Sequence, residues 1–290
     1  MDEKAKSLKR IGFGFATMFG IFWLYSIFVV KHLNINDTFI NIIGLVCLYG
    51  IGMPLFIIIN KGISNSKIEN NSISFKTIIH CFLLQFTATM LMSLAVNIVT
   101  QISGGKITNQ MNMNVLAPFN LFLLLIFNPI IEEFLFRKLV ADKLLKYGEL
   151  FYILTSSFCF AIVHGVSIGI AQILYTFILG LIWSYLYVRT GKLMIPIVLH
   201  SLSNLFSGII IGLLQGISQE ILGMYGMFMM LMAIVGLICF IKNKKKISID
   251  NENKLIKKSV LKDIFTNKGI IIYIALTVTM FVLKNTTTFS

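Results

Sequence analysis

The chain has 290 residues, 57% of them hydrophobic and 13% charged, with a mean hydropathy of +0.85. A water-soluble domain of this length cannot bury so much apolar surface, so the composition excludes a soluble globular protein and predicts a membrane protein. The net charge of +13 does not indicate a nucleic-acid partner. The basic residues lie between apolar runs, where they orient the chain and meet lipid headgroups.

Apolar runs long enough to cross a bilayer core of about 30 Å follow one another along the chain. They predict an all-α fold, a polytopic bundle of about eight or nine transmembrane helices that has the lipid bilayer as its partner. The ninth span is the weakest of the series. The candidate spans run, in chain order, roughly over 11–30, 39–59, 76–101, 115–136, 150–165, 168–188, 193–213, 220–241 and 269–284.

The distribution of basic residues predicts the orientation of the bundle. Of the 25 lysines and arginines, all but Lys31, Lys106 and Lys284 fall in alternate connections that include the N-terminal segment. Because basic residues favour the cytoplasmic side, we expect a cytoplasmic N-terminus. Only three of the 25 are arginine, a bias typical of AT-rich bacterial genomes, so the expected location is the plasma membrane of a bacterium. The four cysteines lie singly inside apolar runs and indicate neither disulfides nor a thiolate metal site.

Two adjacent carboxylates, Glu132 and Glu133, end the fourth predicted span together with Arg137. Ionisable residues inside spans are rare and mark function by default. Adjacent helical residues point about 100° apart, so the two glutamates need different partners. Glu133 and Arg137 have the i,i+4 spacing of an ion pair, which would leave Glu132 free. The alternative is that both glutamates only mark the inner interface of a plain helix.

Two later predicted spans each carry a histidine in an apolar setting. In the fifth, Phe160 and His164 are spaced i,i+4, so the aromatic ring can restrict the orientation of the imidazole. In the seventh, His200 and Asn204 share one face and present two hydrogen-bond donors, which suits a developing oxyanion. Taken singly, His164 is better explained as a satisfied core histidine than as a catalyst, and the His200 face is explained equally well as a hydrogen-bond contact between helices.

The ordered set EExxxR, FxxxH and HxxxN on successive helices resembles the CPBP family of CAAX proteases and bacteriocin-processing enzymes, also called the Abi family. The resemblance covers about residues 115–212. It implies an intramembrane glutamic endopeptidase in which Glu132 and His164 activate a water and His200 and Asn204 steady the oxyanion. Glu133, Arg137 and Phe160 would support them. It also implies a membrane-associated peptide or protein as substrate, with no metal and no cofactor.

The residue types by themselves favour roles that agree with those the resemblance implies, because a carboxylate in a cavity of low dielectric can serve as the general base of amide hydrolysis. Three alternatives stay open at this point. Glu132, His164 and His200 could be a zinc set, although no HExxH motif supports it. The chain could be a non-catalytic immunity or scaffold protein of the same fold. The intramembrane charges could also mark the ion path of a transporter. Two features argue against a transporter: the motifs lie in one compact part of the chain, and the sequence has no inverted repeat.

Three regions are therefore expected: N-terminal transmembrane helices over 1–114, a catalytic helical core over 115–212, and C-terminal transmembrane helices over 213–290 with a basic cytoplasmic loop at 242–268. Simple straight spans place His164 near the opposite membrane face from Glu132 and His200. Either a fifth helix that starts below the membrane or a bent fourth helix around Pro129 would bring the three level.

Overall fold

The computed structural model describes residues 2–70, 72–102, 104, 114–167, 169, 171–247, 249 and 258–287. These residues form helices and their connections, with no β-strand among them. Lys106 and part of the predicted basic loop, residues 248 and 250–257, lie outside the described residues. The helices are α1 Glu3–His32, α2 Asp37–Asn60, α3 Phe75–Ile102, α4 Pro118–Tyr147, α5 Glu149–Ser167, α6 Ala171–Thr190, α7 Met194–Gln215, α8 Gln219–Asn243, α9 Lys258–Phe265 and α10 Lys268–Thr287.

Helices α1 to α8 are each long and apolar enough to cross a membrane. Helices α9 and α10 pass the same test only as a pair, bent by 66° at the break between them. The predicted fold, an all-α polytopic bundle of eight or nine spans, is confirmed, and the weakest predicted span is the bent pair. The cytoplasmic N-terminus stays a prediction.

Helix α4 ends at Tyr147, well beyond the predicted end of the fourth span at residue 136. It continues through Arg137 because that charge is buried against Glu133 and does not need water. Gly148, with φ of 120°, then reverses the chain into α5 in a conformation that favours glycine. Glu132 and His164 are equidistant in sequence from Gly148, so this antiparallel hairpin brings them to one level. The helix thus extends beyond the predicted span, and the hairpin removes the apparent mismatch in depth between the two residues.

The centre of the bundle is α5, the most buried of the spanning helices. Its small polar residues Thr155, Ser156 and Ser157 are completely buried, which allows close approach of its neighbours. Gly180 of α6 packs directly on Ser157, where an added Cβ would lie 2.9 Å from the Ser157 Cα. The two helices thus form the tight core against which α4 and α7 are placed.

Helices α1 and α10 cross at a pair of glycines. A Cβ added to Gly12 would collide with the backbone of Gly269, so only glycine allows this approach. Asn267 donates its side-chain amide to the carbonyl of Ala5 at 2.9 Å, and Phe15 stacks on Tyr273 with ring centroids 5.5 Å apart. Helix α1 is thereby fixed to the C-terminal part of the described chain.

Short π-helical segments interrupt the helices that surround the predicted site. Such segments reorient the side chains after them and are frequent at functional sites. They occur at Tyr25–Val29 in α1, Val46–Gly52 in α2, Leu123–Phe127 and Phe134–Leu139 in α4, and Leu205–Ile209 in α7.

Candidate active site

Three of the predicted site residues converge from three helices. Oε2 of Glu132 in α4 lies 3.8 Å from Nε2 of His164 in α5 and 3.9 Å from Nε2 of His200 in α7. These separations exceed a direct hydrogen bond. In the part of the chain that the structure describes, Oε2 of Glu132 has no hydrogen-bond partner. A carboxylate oxygen and two imidazole nitrogens therefore lie close together without a direct hydrogen bond between them.

The imidazole of His164 is fixed by its own helix. Its Nδ1 lies 2.7 Å from the carbonyl oxygen of Phe160, and the Phe160 ring is 4.5 Å from it between centroids. A carbonyl oxygen only accepts hydrogen bonds, so Nδ1 carries the proton. In the neutral imidazole Nε2 then holds a lone pair, which is directed toward Glu132.

Glu133 and Arg137 form a completely buried ion pair. Nε of Arg137 lies 2.7 Å from Oε2 of Glu133, and Nη2 donates to Oε1 at 3.3 Å. Nη1 donates to the hydroxyl of Ser156 at 3.0 Å, while the guanidinium carbon lies 4.7 Å from the centroid of the Phe160 ring. The planar guanidinium thus joins α4 to α5, which suits its fork of donors.

His200 is held by Glu133 and by an aromatic neighbour. Its Nδ1 lies 3.0 Å from Oε1 of Glu133, and its ring stacks on Trp183 of α6 with centroids 4.4 Å apart and planes inclined by 21°. The indole nitrogen of Trp183 donates in turn to Oε1 of Gln85 in α3 at 3.2 Å. The two glutamates have different partners: Glu133 positions His200, and Glu132 faces the space between the histidines.

Asn204, the fourth predicted catalytic residue, forms a hydrogen bond with the backbone of α4. Its Nδ2 donates to the carbonyl of Leu124 at 2.8 Å, and Ser201 donates to the carbonyl of Leu125 at 2.7 Å. Pro129 has no N–H to offer the carbonyl four residues before it, which is that of Leu125. The hydroxyl of Ser201 replaces the missing N–H donor, so α7 contacts α4 where the backbone hydrogen bonds of α4 are interrupted.

A cavity of about 460 Å³ lies beside Glu132 and His164. Its wall is mostly apolar and comes from α1, α2, α4 and α5. The first two helices contribute Phe19, Phe22, Leu48 and Tyr49. The N-terminal helices, in which the sequence showed no motif, therefore form a large part of the space next to the site.

The sequence analysis missed three members of this site: Trp183, Gln85 and Ser156. Each is buried, and two of them are polar residues within an apolar helix, the same signal that singled out the glutamates. Trp183 carries no such signal, because an aromatic residue in a spanning helix usually faces apolar neighbours or the interface.

Glu132, His164 and His200 are the residue types that a catalytic zinc ion would use. Among the described residues, no group of three or more His, Cys, Asp or Glu side chains is arranged to hold a metal ion.

Comparison with known proteins supports the family resemblance. Residues 114–206 match the family of type II CAAX prenyl endopeptidases, Rce1-like, and include every predicted site residue. A stretch of 144 residues is 35% identical to the membrane-embedded CAAX protease MroQ of Staphylococcus aureus (strain USA300), covering 45% of this chain and 57% of that protein. A stretch of 91 residues is 32% identical to the putative membrane peptidase YdiL of Bacillus subtilis (strain 168), covering 31% and 36%.

The matched stretches span just over half of the first relative and about a third of the second. No solved structure matches the chain significantly. The predicted resemblance to the CAAX protease family is confirmed for the central helices, and the chain is a multi-pass helical membrane protein.

Proposed function

We propose that the protein is an intramembrane endopeptidase of the plasma membrane of a bacterium, in which Glu132 and His164 activate a water to hydrolyse a peptide bond. The convergence of Glu132 with two histidine nitrogens beside a cavity carries the proposal. Two groups that share one water, each about 2.8 Å from it, can stand about 4 to 5 Å apart. The separations of 3.8 and 3.9 Å are slightly shorter than that range, so a shared water would lie to one side of the line that joins the two groups.

In the first step, the water oxygen attacks the carbonyl carbon of the substrate while Glu132 accepts one of the water protons. Nε2 of His164 accepts a hydrogen bond from the other O–H, which directs the oxygen lone pair at the substrate. The tetrahedral intermediate then collapses as the C–N bond breaks. Glu132 returns its proton to the leaving nitrogen, so the products are a carboxylic acid and an amine. No covalent bond to the enzyme forms.

His200 and Asn204 are the proposed oxyanion donors. In the proposed role, Nε2 of His200 donates to the oxyanion while Nδ1 donates to the Glu133 carboxylate. The Arg137 pair and the Trp183 stack keep the ring in one orientation. Asn204 has two N–H groups, of which one is used by the Leu124 carbonyl, so the second is available to the substrate.

The proposed substrate is a membrane-associated peptide or protein whose cleaved segment is mainly apolar. The cavity wall favours such a segment, because aromatic and aliphatic side chains from α1 and α2 outnumber its polar groups. Several amide side chains also reach the wall and can bond a peptide backbone; they are Asn41, Asn120 and Asn128.

The test uses purified protein in lipid nanodiscs and a set of internally quenched decapeptides with apolar residues on both sides of the central bond. We expect cleavage by the wild type and a loss on the order of 10²- to 10⁴-fold in Glu132→Gln and His164→Ala, because each removes a group that acts on the water. Both variants should insert and express normally. Glu220→Gln, at the exposed start of α8, is the matched control and should cleave like the wild type.

Wild-type rates in either site variant would exclude the mechanism. If a cellular immunity effect of the protein persists in both inactive variants, the non-catalytic alternative is the better account.

A further inference from the structure

Tyr49 is a cavity residue outside the segment that matches the CAAX protease family. It lies in the π-helical segment Val46–Gly52 of α2 and lines the same cavity as Glu132 and His164. Its ring meets Phe127 of α4 edge to face, with centroids 5.7 Å apart. This contact sets the position of the phenol relative to α4, the helix that carries Glu132.

The hydroxyl of Tyr49 differs from that of Tyr25, the other tyrosine in the cavity wall. Tyr25 donates to the carbonyl of Ile40 at 2.8 Å, which ties two helices together. Within the described residues, no hydrogen bond involves the hydroxyl of Tyr49, although the residue lines the same cavity as Glu132. The Tyr25 hydroxyl thus has a structural partner, whereas that of Tyr49 is available to a molecule in the cavity.

An oxyanion donor has to stand away from the general base. The base lies about 3 Å from the attacking water, and the donor lies about 3 Å from the carbonyl oxygen. The attacked carbonyl group lies between the two. A donor that shares the cavity with Glu132 without a direct hydrogen bond to it meets this requirement, and a phenol is a neutral donor.

We propose that the Tyr49 hydroxyl donates a hydrogen bond to the oxygen of the scissile carbonyl as the tetrahedral intermediate forms. This inference rests on the proposed protease function. Tyr49 keeps its proton throughout, and Glu132 still transfers the water proton to the leaving nitrogen. Tyr49 is thus a catalytic residue contributed by α2, in addition to the proposed oxyanion donors His200 and Asn204 of α7.

The test compares Tyr49→Phe with the wild type on the decapeptide that the wild type cleaves fastest. The change removes only the hydroxyl and keeps the ring contact with Phe127. We expect kcat to fall on the order of 100-fold, because one oxyanion donor is lost. KM should change less than about twofold, since the bond strengthens only in the transition state.

Tyr225→Phe is the matched control, because its hydroxyl donates to the carbonyl of Phe206 at 2.8 Å in another part of the bundle. It should retain the wild-type kcat. Thermal unfolding of each variant in detergent verifies that the bundle is intact.

Glu132→Gln in the same series separates the two proposals. If Glu132→Gln is inactive and Tyr49→Phe retains the wild-type kcat, the role of Tyr49 is refuted and the protease mechanism stands. If Glu132→Gln retains activity, the proposed mechanism fails, and the role of Tyr49 fails with it. An increase in KM alone for Tyr49→Phe would make Tyr49 a substrate-binding residue and would also overturn the proposal.

Discussion

Replacing Arg137 by lysine should destabilise the protein although the charge is conserved. The guanidinium contacts both oxygens of Glu133 and the hydroxyl of Ser156, and both members of the ion pair have completely buried side chains. An ammonium group is a point charge that cannot reproduce this planar fork. We therefore expect one carboxylate contact and the serine contact to be lost.

The size of the effect follows from the contacts. Both contacts that are lost involve the charged guanidinium, and a hydrogen bond to a charged group contributes about 1.5 to 3 kcal/mol. Complete loss of a buried pair costs about 3 to 5 kcal/mol. Because lysine keeps part of the pair, the free energy of unfolding should fall by about 2 to 4 kcal/mol. This corresponds to roughly a 30- to 1000-fold change in the unfolding equilibrium.

Tryptophan fluorescence in an SDS titration measures this change, because both tryptophans of the chain, Trp23 and Trp183, are buried. Arg189→Lys is the matched control. Arg189 pairs with Glu149 at 2.6 Å where both side chains are partly exposed, 29% and 25%. Exposed pairs contribute about 0 to 1 kcal/mol. Equal unfolding free energies for Arg137→Lys and Arg189→Lys would refute the reasoning.

Two further predictions concern the chemistry and the helix crossing. Prolonged chelation should leave activity intact and Asn204→Asp should lose it, costing on the order of 3 kcal/mol in the barrier, because negative charge would face the developing oxyanion. A chelator-sensitive enzyme, restored by Zn²⁺, that tolerates Asn204→Asp would instead indicate the zinc mechanism. Gly12→Ala should lower the thermal unfolding midpoint, because its Cβ collides with the Gly269 backbone. Gly223→Ala, where an added Cβ meets nothing within 4 Å, should leave the midpoint unchanged or raise it.

The sequence predicted the bundle well, because the length of an apolar run is set directly by the thickness of the bilayer. It did not indicate that the fourth helix continues beyond the predicted span, because charges such as Arg137 and Lys138 commonly mark the end of a span. Whether a charge ends a span depends on its partner, and Arg137 has a buried one in Glu133. The pairing itself was visible in the i,i+4 spacing, but the complete burial of the pair was not.

Much of the candidate site was also predictable. Glu132, His164 and His200 stood out because polar residues in apolar helices are costly and rare. Trp183 and Tyr49 did not stand out, since an aromatic residue in a spanning helix has many apolar uses. Their importance depends on which neighbour each ring meets, and only the tertiary arrangement of α2, α4, α6 and α7 defines those neighbours.

The glycine crossing of α1 and α10 has a consequence for biosynthesis. Helix α1 forms part of the cavity wall through Phe19 and Phe22, yet its partner α10 leaves the ribosome only after the histidine-bearing helices α5 and α7. During translation the face of α1 around Gly12 therefore lacks its contact with α10 until that helix has been synthesised. Helix α1 gains its contacts with Gly269 and Tyr273 only after the helices that carry the proposed catalytic residues have been synthesised.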